Sequence, residues 1–196
     1  MKAMVRALKQ SADHDDIVLL RGVSWAQFEA ILESKGEASV PRLAYFQGDL
    51  QLMSPGTNHE EIKTKMARLL EAYAEHLDIV FEGYGSWTVK KSKKKAGLEP
   101  DECYIIGAKM KPQPDLALEV IWSSGSIDKL EIYRALSVPE VWFWEEGKIL
   151  VFVLRKGRYV SQKKSLAFPA FSFELFERCL AMNTQTEAIR AFRKAL

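Results

Sequence analysis

Pro100-Asp101-Glu102-Cys103-Tyr104-Ile105-Ile106 and Asp115-Leu116-Ala117-Leu118-Glu119-Val120-Ile121 are two apolar runs that carry carboxylates. Short apolar runs bounded by turn residues read as strands of a buried sheet. A carboxylate within such a strand is expensive to bury unless it is paired or binds a metal. Asp115 and Glu119 share a face of one strand but stand about 13 Å apart, at ~3.3 Å per residue. That is too far to chelate one ion whose oxygens lie at about 2.0–2.2 Å. Asp101, on a separate strand, can be brought beside Glu119 by pairing of strands about 4.8 Å apart. Asp101 with Glu119 is therefore the expected chelating pair. Asp115 is expected to mark the solvated entrance of its strand, with a role in turn structure.

The rest of the chain supplies alternating strands and helices. Ser24 through Ser34 reads as an amphipathic helix N-capped by Ser24, with Phe28, Ile31 and Leu32 on one face. Leu43–Phe46 and Leu50–Met53 flank Gln47-Gly48-Asp49 as a hairpin. Thr57-Asn58-His59-Glu60 has capping-box spacing, and Ile62, Met66, Leu69, Leu70 and Tyr73 recur behind it at helical intervals. Short strands are expected at Ile79–Phe81 and Ser86–Val89. A helix is expected over Ile127–Leu136 with Ser126 or Gly125 near its start. A hairpin of Val141–Trp144 and Ile149–Leu154 comes next, then helices around Glu174–Met182 and Thr186–Ala195. This interleaving predicts an α/β domain with a mixed sheet. Residues 1–20 are read as a loosely ordered lead and 21–196 as a single domain.

Composition bounds the function classes. The chain has 196 residues, 47% hydrophobic and 28% charged, values ordinary for a globular protein with one sizeable core. No apolar stretch approaches the roughly 18–20 residues of a membrane span, and the charged N-terminus lacks the apolar core of a signal peptide. Cys103 and Cys179 provide neither a disulfide framework nor zinc-ligand spacing, so two reduced thiols in a cytoplasmic protein are expected. The net charge of +2 is too small to demonstrate a polyanion partner. Lys90, Lys91, Lys93, Lys94 and Lys95 are nevertheless crowded just ahead of Asp101. They form either a solvated loop or a phosphate-contacting one, since lysines that neutralise phosphates give sequence-independent affinity for nucleic acid.

Two further positions carry alternatives. At ~100° per residue, His59 projects to the same side as the apolar stripe of its helix. It is either a satisfied core histidine or a group aimed at a site. Ile121, two beyond Glu119 and on its face, cannot stabilise charge. Lys129 is the nearest substitute, unless Asp128, Lys129 and Glu131 are simply the polar face of their helix.

The order of Gly48-Asp49-Leu50-Gln51-Leu52-Met53-Ser54-Pro55, His59, Pro100-Asp101, Pro114-Asp115-Leu116-Ala117-Leu118-Glu119-Val120, Lys129 with Tyr133, and Val138-Pro139-Glu140-Val141-Trp142 resembles a bacterial family. It is the putative restriction endonuclease family, a domain of unknown function expanded in cyanobacteria, within the PD-(D/E)XK nuclease superfamily. The resemblance covers about residues 20–160. It implies a restriction-endonuclease-like core, a mixed sheet flanked by helices, and Mg²⁺-dependent hydrolysis of DNA, with Mn²⁺ as an alternative ion. Residue by residue it implies Asp101 as the metal aspartate and Glu119 as the second acidic ligand. Lys129 becomes the lysine moved from the strand, where Ile121 stands, to the next helix. His59 matches the family's helix histidine, with Glu60 as an outer metal contact. Trp122 stands where many members carry a serine, with Ser123 beside it.

The expected function is thus a metal-dependent endodeoxyribonuclease. Asp101, Glu119 and the Val120 carbonyl would hold the ion, Lys129 and His59 would join the catalytic group, and a homodimer would cut both strands. The competing readings are an inactive nuclease fold that grips DNA or protein, and a phosphodiesterase acting on RNA or a small nucleotide.

Overall fold

The computed structural model describes residues 14–122 and 127–196. Two sheets lie at its centre. The first is antiparallel, with strands in the spatial order β1 (Asp16–Leu20), β3 (Asp49–Ser54), β2 (Arg42–Phe46), β6 (Ala96–Leu98) and β5 (Val89–Lys91). The second has the order β11 (Arg158–Gln162), β10 (Lys148–Arg155), β9 (Glu140–Glu145), β8 (Leu116–Ile121), β7 (Glu102–Ile106) and β4 (Phe81–Gly83). It is mixed, since β8 and β9 run parallel and its other pairs antiparallel. Parallel neighbours need a crossover, and the connection carries α3 (Lys129–Leu136). The remaining helices are α1 (Trp25–Lys35), α2 (Thr57–His76), α4 (Phe173–Leu180) and α5 (Gln185–Ala195).

Alternation along β8 assigns its two faces. Leu116, Leu118 and Val120 pack with Trp142 and Val151 against α2, α4 and α5. Ala117 faces the other way, with Cys103 and Val141, toward Ile132 and Tyr133 of α3 and Ala44, Val89, Ala96 and Leu98 of the first sheet. Every residue from Leu116 to Val120 is buried, which is why this strand reads as a continuous apolar run rather than an alternating one. Glu119 lies on the α3 side, where the two sheets and that helix enclose it.

Several local expectations are met for the reasons that suggested them. Ser24 caps α1 through a capping box with Gln27. β2 and β3 form a hairpin with Gln47 and Gly48 at positive φ, as a tight two-residue turn requires. Others shift. Asp16–Leu20 falls inside the stretch read as a lead but pairs with β3, while residues 1–13 lie outside the described residues. β4 and β5 start two and three residues later than expected, with Phe81 stacked on Tyr104 at 4.3 Å fixing the first register. The capping box at Thr57 does not form: Gly56 is the N-cap, and the Glu60 carboxylate is drawn to Arg42 instead. α3 begins at Lys129, capped by Asp128; Gly125 and Ser126 lie outside the described residues.

Gly97, in the middle of β6, leaves no room for a side chain. A Cβ there would meet the Phe28 ring at 3.0 Å and the Lys90 Cβ at 3.1 Å. Overpacking of this kind costs about 1–3 kcal/mol. Gly97→Ala is expected to lower the urea unfolding free energy by that amount; an unchanged midpoint and slope would show that Phe28 moves freely.

Candidate active site

β7 and β8 pair antiparallel with Glu102 opposite Leu118. Continuing that register by one residue sets Asp101 opposite Glu119, and both are buried, 1% and 0% exposed. The expected carboxylate pair is therefore assembled by strand pairing. A backbone bond ties it tighter: Val120 N donates to Asp101 Oδ2 at 2.7 Å. Asp115 is not part of the pair. It accepts from Ile106 N at 2.8 Å and from Lys111 Nζ at 2.6 Å, holding the turn between the strands.

Each carboxylate has its own set of cationic or hydroxyl donors. Lys129, projecting from the first turn of α3, donates to Glu119 Oε2 at 2.6 Å, and the Tyr133 hydroxyl, one turn later, donates to Oε1. Lysine and tyrosine four apart on one helix face reach the same carboxylate. His59, from the first turn of α2, brings Nε2 to 3.0 Å from Asp101 Oδ1, and its Nδ1 lies 2.9 Å from Asp15 Oδ2. The same Asp15 accepts from the Gly56 amide at 2.9 Å through its other oxygen, pinning the start of α2. Arg42, the first residue of β2, donates through Nη1 to Asp101 Oδ1 and through Nη2 to Glu60 Oε1 at 2.6 Å. Arg42 Nη1 and His59 Nε2 approach to 3.3 Å because they share one acceptor. Lys63 pairs with Glu60 at 2.8 Å.

The charges nearly cancel: Asp15, Asp101, Glu119, Glu60 and Glu102 against Arg42, His59, Lys129 and Lys63. Burial disfavours a charged His59, but the bonds to Asp101 and Asp15 outweigh it and raise its pKa to about 9. Burial likewise works against an ionised Asp101, yet His59, Lys129 and Arg42 together hold it below the usual carboxylate range. For Glu119 burial prevails over Lys129 and its pKa is raised. Lys129 loses solvation too, but Glu119 and Asp101 hold it protonated.

Asp101, Glu119, Lys129 and His59 are thus brought together, with the Val120 backbone beside them. The lysine run is not. Lys91 donates to Leu136 O at 2.5 Å and to Ser137 Oγ at 3.2 Å, at the far end of α3, roughly 10 Å along the axis from Lys129 at ~1.5 Å per residue. Lys90 pairs with Glu29, and Lys93, Lys94 and Lys95 are exposed. Arg42 and Asp15 join the cluster without a local signal in the sequence, and Tyr133 stands beside Lys129 in the motif order with no role assigned to it there.

A family model matches residues 25–181 and is described as Uma2, putative restriction endonuclease. The chain belongs to this family. Among solved structures, the Uma2-type chain is similar to a putative nuclease belonging to DUF820 from Anabaena variabilis ATCC 29413, at 12% identity and a TM-score of 0.53. The match covers 87% of this chain and 99% of the other, and it supports the mixed α/β fold. None of the curated proteins compared with the chain matches it.

The donor chemistry of the site fits a hard divalent cation. Among the described residues no group of three or more His, Cys, Asp and Glu side chains forms a ready cage. Mg²⁺ does not need one, since it commonly takes one or two carboxylates and completes its shell with water and substrate phosphate oxygens.

The raised His59 pKa gives a signed pH dependence. His59 titrates near 6.5 when unfolded and near 9 in the fold. Its contribution is complete below about pH 6.5 and is lost as pH rises through about 9, worth up to ~3 kcal/mol. Asp101, depressed in the fold, contributes stability above its unfolded value that is lost on acidification. Urea unfolding at pH 6 and pH 9.5 is expected to show the alkaline loss in the wild type and a much smaller one in His59→Gln. Equal pH profiles would contradict the paired imidazolium.

Proposed function

We propose that this protein is a Mg²⁺-dependent endodeoxyribonuclease, with Mn²⁺ able to substitute. The observation that carries the reading is the buried Asp101–Glu119 pair with Lys129 in contact with Glu119. Family membership supports a nuclease. The finer assignment of ion and substrate rests on the chemistry of the site.

Asp101 and Glu119 would hold the ion, with the carbonyl of Val120, the next residue along β8, as a backbone ligand. A divalent ion there supplies charge neutralisation on the scissile phosphate and lowers the pKa of water. Lys129 keeps a full positive charge at the edge of the pair, placed to orient the attacking water or to stabilise charge on the phosphorus. The Tyr133 hydroxyl fixes the rotamer of Glu119, leaving Oε2 to Lys129. His59 orients Asp101 and is itself fixed by Asp15. The exposed lysines 93, 94 and 95 would add sequence-independent phosphate affinity away from the cut, whereas Lys91 serves the end of α3. Cutting both strands of a duplex is simplest with two related sites, which favours a homodimer.

Nicking of supercoiled plasmid in Mg²⁺ or Mn²⁺ tests this directly. Asp101→Ala, Glu119→Ala and Lys129→Ala are each expected to lose activity at least ~100-fold, the scale set by removal of one transition-state contact. Chelation of the metal should abolish cutting by the wild type. Activity equal in all preparations would mark a contaminant and sink the proposal. Cutting of RNA but not DNA would transfer the same site to another substrate.

A further inference from the structure

Arg42 stands out among the groups around Asp101. It is 6% exposed and lies on the first sheet, away from the strands that carry the carboxylates. Its guanidinium bridges Asp101 and Glu60. Its Nε is buried with no hydrogen-bond partner, so this pose leaves one donor unsatisfied, an unfavourable condition for a buried polar group.

We propose that Arg42 is the resident counter-cation of Asp101, and that it must release Asp101 for a divalent cation to bind. The inference rests on the metal-dependent reading of the same site. With Glu102, 3.8 Å from Lys63, five carboxylates face four cations, so a divalent ion would leave the buried cluster net positive unless one resident cation withdraws or is screened.

The cations also differ in their freedom to move. His59 is held between Asp15 and Asp101 with no exposed side-chain surface, and Lys129 is the partner of Glu119. Arg42 differs from His59, and from Lys129 with its side chain 12% exposed, in having a second carboxylate anchor that reaches solvent. Its second anchor, Glu60, has a side chain 40% exposed at the mouth of the site. The guanidinium can pivot about Glu60 and leave Asp101 without losing a carboxylate partner. Its unsatisfied Nε lowers the cost of departure. At the mouth, a planar guanidinium with free donors is suited to a phosphate oxygen pair. Arg42 is thus a positioning residue that couples loading of the site to a charge presented at its entrance.

Calorimetric titration of Mn²⁺ and of Mg²⁺ into the full chain, without nucleic acid, tests the inference in wild type, Arg42→Met and Arg42→Lys, each also combined with Asp101→Asn. Arg42→Met is expected to bind the ion about tenfold more tightly than wild type, ~1.4 kcal/mol. Arg42→Lys should fall between them, and Asp101→Asn should remove the binding in every background. Arg42→Lys preserves the charge and serves if Arg42→Met does not fold without metal. Wild-type binding that depends on Asp101, with no tightening in either Arg42 variant, overturns the role of Arg42 and leaves the nuclease reading intact. No Asp101-dependent binding in any protein overturns both.

Discussion

Two carboxylates set opposite each other on neighbouring strands, out of reach of water, are the constraint from which the rest of this structure follows. Asp101 and Glu119 are almost fully buried. At the short separations of paired strands their repulsion is weakly screened, and removing either from water costs several kcal/mol. The fold answers by sending a cation to the pair from each surrounding element. Lys129 comes from α3, His59 from α2 and Arg42 from the first sheet. A core of this size could be packed more simply with apolar residues. A buried, charge-balanced cluster is weak evidence for stability in itself and is better explained by what it can bind.

The architecture serves the same end. The crossover between the parallel strands β8 and β9 places the N-terminus of α3 over the end of β8, so Lys129 reaches Glu119 from the helix while Ile121, two residues beyond Glu119 on the strand, carries no charge. Tyr133 follows from the same geometry, since one helical turn carries it to the other oxygen of that carboxylate. The first sheet does more than add bulk: its strand β2 delivers Arg42, and its hairpin partner β3 leads directly into α2 and His59.

Legibility from sequence followed sequence distance and periodicity. The two apolar runs, the α2 stripe and the β9–β10 hairpin announce themselves locally, and parity along β8 fixes the face on which Glu119 lies. The opposition of Asp101 and Glu119 was legible because neighbouring short strands pair readily. Arg42 was not, because nothing local distinguishes a buried arginine at a strand end from a solvated one. Asp15 was hidden in the same way among Asp13 and Asp16. Thr57-x-x-Glu60 misled because a capping box is a local preference worth about 1 kcal/mol, and a buried guanidinium competes for the same carboxylate. The lysine run illustrates the reverse case. A conspicuous cluster of charge includes one member, Lys91, that caps the end of α3 rather than facing a ligand.

On the proposed function, the buried Asp101–Glu119 pair is a divalent-metal site. Crystals of the wild-type chain grown with Mn²⁺, measured for anomalous scattering from manganese, test it most directly. The prediction is an anomalous peak within about 2.0–2.2 Å, the coordination distance of a Mg²⁺-like ion, of oxygens from both Asp101 and Glu119, with the Arg42 guanidinium displaced from Asp101. A fully occupied peak elsewhere, or none with the ion pairs of Asp101 and Glu119 intact at millimolar Mn²⁺, would contradict it.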